Sequence, residues 1–479
     1  MKMLLNGRWA DAVSGEVIPI YNPATLSRID EVPRAGAADV DIAVRYAGEG
    51  YRINRRLPAH CRRGYLARTG ELIAEHLEEL RDLMIRENGK PHYWADFEIR
   101  KSAEIFQTIA ERVRDPHGAT YPMDAMAGCE TQMAMVYRQP IGIVGAIIPF
   151  NFPAEMLAYK ISSALSMGNS IVAKLSEDCP LTCLRIGELM LEAGVPPEAF
   201  HLLVGYGEEA GEALVTHPEV PAISFTGSSA VGKRIMEKAA PYLKRLSLEL
   251  GGNDPVIVFA DADLQLVANN LVRGRMTVGN GQACVADKRF LVERPAVAQF
   301  LELATEVVDR LKMGDPTDPA VDVGPLIHED AARRVESQIQ DAIETGARVL
   351  TGGKRVNRTF IMPTVLADVT CSMRVMREEC FGPVAPVMAF DGEEEALSVA
   401  NNSCYGLQGA VYTRDISRAL RVADEMEVGG VVINGSSCFR PGNVPYIPRK
   451  ESGLGRDNMF DGVEELSTGK AVVISNARR

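Results

Sequence analysis

The feature that most constrains the fold of this chain is an alternation of short apolar runs with longer amphipathic runs, which begins at residue 141. The apolar runs predict β-strands at 141–148, 170–174, 201–204, 222–225 and 246–250. The amphipathic runs between them predict helices at 154–167, 183–193, 208–215 and 230–240. Because strands joined through helices need crossover connections, this order predicts a parallel sheet covered on both faces. We therefore expect a doubly wound, Rossmann-like α/β domain that binds a nucleotide.

Other segments extend this prediction on both sides. A helical period at 66–88 and another at 95–113 predict outer helices of the same domain. After residue 251 a second alternation begins and predicts a second α/β domain. Its strands are expected at 254–259, 346–352, 360–366 and 384–390, and its helices at 263–278 and 295–311. The segment 121–138 is rich in β-forming residues and places Gly128 at a turn.

Composition excludes several classes of protein. The 479 residues are 46% hydrophobic and 24% charged, which is typical of a folded chain of two or three domains. The formal charge of −12 argues against nucleic acid or an anionic membrane surface as a general partner. No apolar stretch approaches the roughly 20 residues that span a bilayer, and the first residues do not resemble a secretory signal, so we expect a cytoplasmic protein. Nine cysteines without a CxxC or HExxH motif predict free thiols and no metal site.

Three separated residues have the chemistry of a covalent enzyme. Cys284 ends the stretch Gly-Asn-Gly-Gln-Ala-Cys and is a candidate nucleophile, because glycines let a substrate approach closely. Glu249, 35 residues earlier, is a candidate base, and Asn151 is a candidate donor to an oxyanion. Each residue also has a structural interpretation. The cysteine could be a small buried side chain, the glutamate an ion-paired strand end, and the asparagine a helix cap before Pro153.

Together these motifs resemble the aldehyde dehydrogenase superfamily. The likeness extends from Asn22-Pro23-Ala24-Thr25 to Lys450-Glu451-Ser452-Gly453, which is nearly the whole chain. It implies that Cys284 attacks an aldehyde, that hydride leaves to NAD or NADP, and that Glu249 activates water to hydrolyse the thioester. Lys160 corresponds to a proton-relay lysine of the family. A carboxylate at 249 favours release of a free acid over acyl transfer to coenzyme A.

The resemblance also assigns the cofactor contacts. Gly227 and Ser228 lie at a strand-to-helix turn suited to a pyrophosphate, although the spacing is not GxGxxG. Glu177, near Lys174, is expected to accept the adenosine ribose hydroxyls and to repel a 2′-phosphate, which favours NAD over NADP. Glu379 and Phe381 match residues that position the nicotinamide ribose and ring. The full set of expected cofactor contacts is Pro149, Phe150, Lys174, Ser176, Glu177, Gly227, Ser228, Leu250, Gly251, Glu379 and Phe381.

The family further implies three structural parts and an oligomer. The cofactor domain is expected at 1–121 and 141–250, and the catalytic domain at 251–460. A small β arm at 122–140 and 461–479 would pair a hairpin with a strand near 470–474. In relatives this arm mediates association, so we expect a homodimer or a homotetramer.

The loop before the last motif departs from the family. Most relatives carry Pro-Phe-Gly-Gly there, whereas this chain replaces the glycines with Ile447 and Pro448, which restricts the backbone. Asp457 also stands where a longer Glu is common. Residues expected near the aldehyde are Phe152, Tyr159, Ala283, Arg440 and Tyr446, with Cys438 and Phe439 near the mouth of the pocket.

Arg440 in this loop favours an acidic substrate, because a guanidinium matches a carboxylate, sulfonate or phosphonate. We therefore hypothesise that the substrate is a short aldehyde that carries an acidic or hydroxyl group. A loop arginine that is solvated or bonded to a neighbouring subunit is the alternative. For the whole chain, the alternatives to hydrolytic aldehyde oxidation are a coenzyme A acylating semialdehyde dehydrogenase and a relative that has lost catalysis.

Overall fold

The protein is described by a computed structural model that covers residues 1–115, 118–456 and 459–475. Asp457 and the last part of the expected arm, 476–479, lie outside the described residues. None of the described helices is long and apolar enough to cross a membrane.

The strands of the described residues follow in chain order. They are β1 (Met3–Leu5), β2 (Arg8–Ala10), β3 (Val17–Tyr21), β4 (Arg28–Pro33), β5 (Gly118–Tyr121), β6 (Met133–Pro140), β7 (Ile143–Ile147), β8 (Ser170–Leu175), β9 (Phe200–Val204), β10 (Ala222–Thr226), β11 (Arg245–Glu249), β12 (Pro255–Val258), β13 (Arg289–Glu293), β14 (Arg348–Thr351), β15 (Thr364–Ala367), β16 (Val384–Phe390), β17 (Tyr405–Gly406), β18 (Gln408–Tyr412), β19 (Gly430–Ile433), β20 (Arg449–Lys450), β21 (Gly453–Leu454) and β22 (Ser467–Ile474).

The helices of the described residues are α1 (Ala37–Asn54), α2 (Ala59–Glu75), α3 (Leu77–Asn88), α4 (His92–Arg112), α5 (Pro153–Ser166), α6 (Leu181–Glu192), α7 (Glu212–Thr216), α8 (Ser229–Ala239), α9 (Leu264–Leu271), α10 (Val297–Asp309), α11 (Glu329–Glu344), α12 (Arg374–Arg377), α13 (Glu393–Asn401), α14 (Ile416–Glu425) and α15 (Asp461–Glu465).

The first sheet has the order β2-β1-β9-β8-β7-β10-β11-β21. The strands from β9 to β11 are parallel, and the edge strands β1, β2 and β21 are antiparallel to their neighbours. Along β8, Ile171 and Ala173 point into one apolar core, while Val172 points into another. Helices therefore cover both faces, as a strand with a side-chain period of two requires.

The second sheet has the order β14-β15-β16-β13-β12-β18-β19 and is parallel except for β14. Its neighbouring residues Val256 and Ile257 also enter different cores. A third, antiparallel sheet has the order β22-β6-β5, and Met133–Pro140 pairs along its whole length with Ser467–Ile474. The mixed α/β fold with two largely parallel sheets and a small arm confirms the expected fold class.

Two expected helices are interrupted. The helix expected at 66–88 is two helices, α2 and α3, with a break at His76 (φ −98°, ψ 21°). Leu72 before the break and Leu80 after it enter the same core, so the apolar period continues across the break and hides it in the sequence. The helix expected at 263–278 ends at Leu271 and continues as a wider turn at 272–277, in which Arg275 is fully buried.

Several elements of the second sheet and its helices lack a clear signal in the sequence. Helix α11 was not expected, because its buried face consists largely of alanine and includes Gln338, while its other face is charged. Strand β13 begins with the charged Arg289 and was also not expected.

In the first α/β domain, the helix expected at 208–215 is a wide turn at 207–211 followed by α7.

Candidate active site

Cys284 follows a tight turn that the Gly-Asn-Gly sequence makes possible. Gly279, Asn280 and Gly281 have φ of 51°, 58° and 77°, a region that glycine and asparagine tolerate best. The Asn280 side chain donates to the carbonyls of Gly89 (2.9 Å) and Pro325 (2.8 Å). A Cβ at Gly281 would lie 2.3 Å from the carbonyl carbon of Gly382. The nucleophile loop is thus fixed by buried contacts on both sides.

The Cys284 thiol is half-buried and lies 3.7 Å from the Tyr446 hydroxyl. Burial raises the pKa of the Cys284 thiol, and Glu379 raises it further. Lys288, the contact with Tyr446 and the charge of Arg440 all lower this pKa, although the net shift remains upward. The thiol therefore depends on neighbouring positive charge to form the thiolate, which is the nucleophilic form.

The glycines after Glu249 allow the cofactor side and the nucleophile side to approach each other. A Cβ at Gly251 would lie 2.4 Å from the carboxylate oxygen Oε2 of Glu379, and a Cβ at Gly252 would lie 2.7 Å from the Cys284 carbonyl oxygen. The Gly252 N–H also donates to Glu379 Oε1 over 3.1 Å. Larger residues at either position would push Glu379 or the nucleophile loop away.

Asn151 lies against the nucleophile loop, where its side-chain amide donates to the Gln282 carbonyl over 3.1 Å. Its own carbonyl accepts a 2.7 Å bond from Lys90, which also forms a fully buried ion pair with Glu98. Glu98 in turn accepts from the Ala154 N–H at the start of α5 (2.9 Å). Glu98 therefore caps the helix, and Asn151 does not fill the capping role considered for it.

Glu249 is the last residue of β11 and is 4% exposed. Gly455 packs beside it, and a Cβ there would lie 3.3 Å from Glu249 Oε1. Lys160 in α5 is also buried and donates to the Ser224 hydroxyl over 2.9 Å. The structure thus places Lys160 beneath the sheet against β10, whereas Glu249 stands at the carboxyl end of its strand.

A cavity of about 710 Å³ opens beside Cys284 at the carboxyl ends of the parallel strands. This is where ligands bind in open α/β sheets. Every expected cofactor residue lines the cavity, together with Cys284 and Asn151, and these residues are Pro149, Phe150, Lys174, Ser176, Glu177, Gly227, Ser228, Leu250, Gly251, Glu379 and Phe381. The sequence did not mark other lining residues, among them Arg234, Lys238, Arg334, Gln338 and Arg374.

Local geometry explains several residues of the cavity wall. Ser228 caps α8 by accepting from the Val231 N–H over 3.4 Å. A Cβ at Gly227 would lie 2.4 Å from the ring of Phe225, so glycine is needed there. Lys174 at the end of β8 forms a 2.7 Å ion pair with Glu177. The wall therefore combines the N-terminus of α8, which follows β10, with a carboxylate just after β8, two strands away in the sheet.

The other side of Cys284 is built from aromatic rings and one arginine. The guanidinium carbon of Arg440 lies 3.7 Å from the centroid of the Tyr446 ring and 5.2 Å from that of Tyr159. Burial lowers the pKa of Arg440, but the nearby Tyr159 and Tyr446 and the carboxylates of Glu155 and Glu249 raise it, with a net upward shift. Arg440 is therefore cationic and lies over the rings of Tyr159 and Tyr446.

The remaining expected substrate residues pack around the nucleophile loop. Ala283 belongs to a small apolar cluster with Val278 and Ala286, and Phe152 and Cys438 pack against it. The Cys438 thiol donates to the Val285 carbonyl over 3.1 Å, which ties the loop to the residue after Cys284. Phe439 is 66% exposed. The loop that departs from the family therefore does approach the nucleophile.

Sequence reasoning missed three buried charges that support the site. Lys288, Lys90 and Glu98 are each at most 1% exposed. A signal for Lys288 existed, because Asp287-Lys288-Arg289 precedes an apolar strand without a break and charged residues are rarely buried unless paired. Lys90 and Glu98 carry no such signal, since isolated charges beside a helix are usually solvated.

The two-sheet fold and the Cys284 site define an oxidoreductase of the aldehyde dehydrogenase class. The aldehyde dehydrogenase family model matches residues 9–472, and the chain belongs to this family. The chain is 38% identical to succinate-semialdehyde dehydrogenase, mitochondrial, from Arabidopsis thaliana, over 99% of the chain and 89% of the relative. It is 36% identical to 3-sulfolactaldehyde dehydrogenase from Pseudomonas putida, over 99% of the chain and 97% of the relative. A crystal structure described as an E. coli NADP-dependent enzyme matches with a TM-score of 0.96 and 37% identity, and covers 99% of this chain and 98% of that one.

Proposed function

We propose that this chain oxidises a short aldehyde that carries an acidic group to the corresponding carboxylic acid, with NAD as the preferred cofactor. The observation that carries the acidic substrate is the stacked Arg440 beside Cys284, with its guanidinium 3.7 Å from the Tyr446 ring, which itself contacts the thiol. The alternatives, coenzyme A acylation and loss of catalysis, predict different products and are separated below.

In this proposal Cys284 attacks the aldehyde carbon to give a thiohemiacetal. The Asn151 amide, which already reaches the nucleophile loop, and the Cys284 N–H would stabilise the oxyanion. A donor of this kind contributes about 2.7–4 kcal/mol to the transition state. Buried Glu249 then removes a proton from water for hydrolysis of the thioester, and Lys160 serves as the candidate proton relay.

The cavity walls support a dinucleotide. The α8 N-terminus with Gly227 and Ser228 suits a pyrophosphate. Gly251 and Glu379 line the same cavity and lie so close together that a Cβ at 251 would displace the carboxylate. A nicotinamide dinucleotide held by these residues would supply the acceptor for the hydride that leaves the thiohemiacetal. Glu177 supports NAD, because its carboxylate can accept the ribose hydroxyls and repel a 2′-phosphate.

The substrate class rests on charge complementarity. Succinate semialdehyde and 3-sulfolactaldehyde, for which two relatives are named, both carry an anionic group. A guanidinium packed over aromatic rings can meet a carboxylate or sulfonate through its N–H groups, and partial burial strengthens such a pair. Glu155 and Glu249 balance the charge of Arg440 before substrate arrives.

The division into domains and the assembly are part of the proposal. We place the cofactor domain at 1–121 and 141–250, the catalytic domain at 251–460, and an oligomerisation arm at 122–140 and 461–479. The pairing of β6 with β22 supports the arm. Strand β5 also pairs with β6, which favours moving the start of the arm to residue 118. The expected assembly is a homodimer or a homotetramer, which light scattering of the purified protein would distinguish.

A substrate panel tests the proposed reaction. Succinate semialdehyde, a sulfonated short aldehyde and neutral butanal are each mixed with NAD, with and without coenzyme A, while NADH is followed and products are identified by mass spectrometry. We expect free acids and a kcat/KM for the anionic aldehydes about tenfold or more above that for butanal, as one charged hydrogen bond supplies. Acyl-coenzyme A as the main product would favour the acylating alternative. If no aldehyde gives NADH, the result would favour a relative that has lost catalysis. Equal kcat/KM values for anionic and neutral aldehydes would contradict the proposed preference for an acidic substrate.

A further inference from the structure

A buried ammonium group lies between the nucleophile and the cofactor cavity. Lys288 is 1% exposed, and its Nζ donates to the Cys284 carbonyl over 2.6 Å, to the Gly252 carbonyl over 2.7 Å and to Glu379 Oε1 over 2.7 Å. These bonds use all three N–H groups of the ammonium. A lysine with no N–H left for solvent is held in one position.

The three acceptors come from separate parts of the chain. Cys284 is the nucleophile, Gly252 belongs to the turn that follows Glu249, and Glu379 follows α12. The close approach of these segments requires glycine at 251 and 252, where a Cβ would collide with Glu379 and with the Cys284 carbonyl. Lys288 therefore joins three segments that sequence alone leaves unconnected.

We propose that Lys288 is a positioning residue that holds the Cys284 backbone and the Glu379 carboxylate in one hydrogen-bonded unit and that its positive charge favours the Cys284 thiolate. The inference rests on the proposed function for the roles of Cys284 and Glu379. It adds a residue that acts through both of them and does not itself touch substrate.

The surrounding charges support this role. The groups that face Cys284 are Lys288, Tyr446, Arg440 and Glu379, and among them Lys288 has the largest effect in lowering the pKa of the thiol. Lys288 also faces Asp254, but burial raises the pKa of Asp254 to about 8, so this carboxyl is largely protonated at neutral pH. Glu379 is consequently the main charged partner of the ammonium. Lys288 lowers the pKa of the Cys284 thiol, whereas Glu379 raises it.

The test measures the thiol in the protein without cofactor. The rate of Cys284 alkylation by iodoacetamide is determined by peptide mass spectrometry between about pH 6 and pH 11 for the wild type, Lys288→Met and Glu379→Gln. Methionine keeps the length of the side chain and removes the charge. We expect the midpoint of the pH profile to rise by about one unit in Lys288→Met, with alkylation about tenfold slower near neutral pH. In Glu379→Gln the midpoint should fall, because a negative charge is removed.

Lys244→Met is the matched control. Lys244 also donates to two backbone carbonyls, those of His217 and Val220, but it lies in the turn before β11 and does not face Cys284. We expect its alkylation profile to match the wild type. NAD binding measured by calorimetry should weaken about tenfold in Lys288→Met and remain unchanged in the control.

An unchanged alkylation midpoint in Lys288→Met would overturn the inference, as would an equal shift in the Lys244 control. If Lys288→Met does not fold, the same profile is measured for Lys288→Gln, which removes the charge and keeps two N–H donors, and an unchanged midpoint in that variant would overturn the inference. These readouts are independent of turnover. A failed substrate panel with shifted midpoints would therefore count against the proposed reaction and leave the role of Lys288 standing.

Discussion

The two sides of Cys284 are built on different principles. The cofactor side is formed by the ends of parallel strands and by glycines that let backbone and carboxylate approach, as at Gly251 and Gly252. The aldehyde side is formed by the stacking of Arg440 on Tyr159 and Tyr446, which come from α5 and from an irregular loop. Backbone geometry dictates the first side, and individual side chains dictate the second. Changes on the cofactor side should therefore affect every substrate, whereas changes on the aldehyde side should discriminate among substrates.

The largest effect is expected from removal of the Cys284 sulfur, which lies between the two sides. We expect Cys284→Ala to lower kcat by about four orders of magnitude or more, as loss of a nucleophile does elsewhere. NAD affinity should stay within about twofold, because the thiol is not a main contact of the expected cofactor site. Steady-state kinetics and calorimetry provide the two measurements. Turnover that persists for all aldehydes would exclude Cys284 as the nucleophile.

The next largest effect is expected from a change that blocks hydrolysis of the thioester without blocking acylation of Cys284. Glu249→Gln should leave acylation in place and slow hydrolysis by about 10²–10⁴-fold, because a general base contributes that much. The acyl enzyme should then accumulate as a mass increase on the peptide that contains Cys284. A control reaction without NAD should show no such increase. Absence of the adduct in Glu249→Gln, together with normal turnover, would assign the base to another residue.

The contrast between the two sides also explains what the sequence could predict. The strand ends from 141 to 250 were predictable because short apolar runs and turn residues are local signals, and parallel strands bring their carboxyl ends to one edge. For that reason every expected cofactor residue lines one cavity. The ring stack was only partly predictable, because Tyr159 and Arg440 are distant in sequence and their contact depends on the loop path. The burial of Lys288 had a local signal in the sequence, but its role was missed because two of its three partners are backbone carbonyls, which carry no residue signature, and the third, Glu379, is distant in sequence.

An intermediate effect should be confined to the aldehyde side. We expect Arg440→Met to lower kcat/KM about 10- to 100-fold more for anionic aldehydes than for butanal, since a charged hydrogen bond contributes about 1.5–3 kcal/mol. Butanal should lose only the smaller part that comes from the effect of the Arg440 charge on the Cys284 thiol. Arg449→Met removes an exposed arginine nearby and serves as the control. A parallel loss for neutral and anionic aldehydes would show that Arg440 supports the pocket without recognising an anion.

The smallest expected effect concerns the cofactor side and tests whether it is purely geometric. Glu177 is partly exposed and already pairs with Lys174 over 2.7 Å, so its repulsion of a 2′-phosphate is partly screened. Replacing it with glutamine removes the repulsion and also leaves the ammonium of Lys174 without that counter-charge. Both changes favour NADP. We expect the ratio of kcat/KM for NADP to that for NAD to rise about 3- to 10-fold in Glu177→Gln. Glu208 lines the same cavity, so Glu208→Gln controls for a general change in charge. An equal rise in both variants would mean that the net charge of the groove sets the preference, and an unchanged ratio in Glu177→Gln would mean that the carboxylate does not face the ribose.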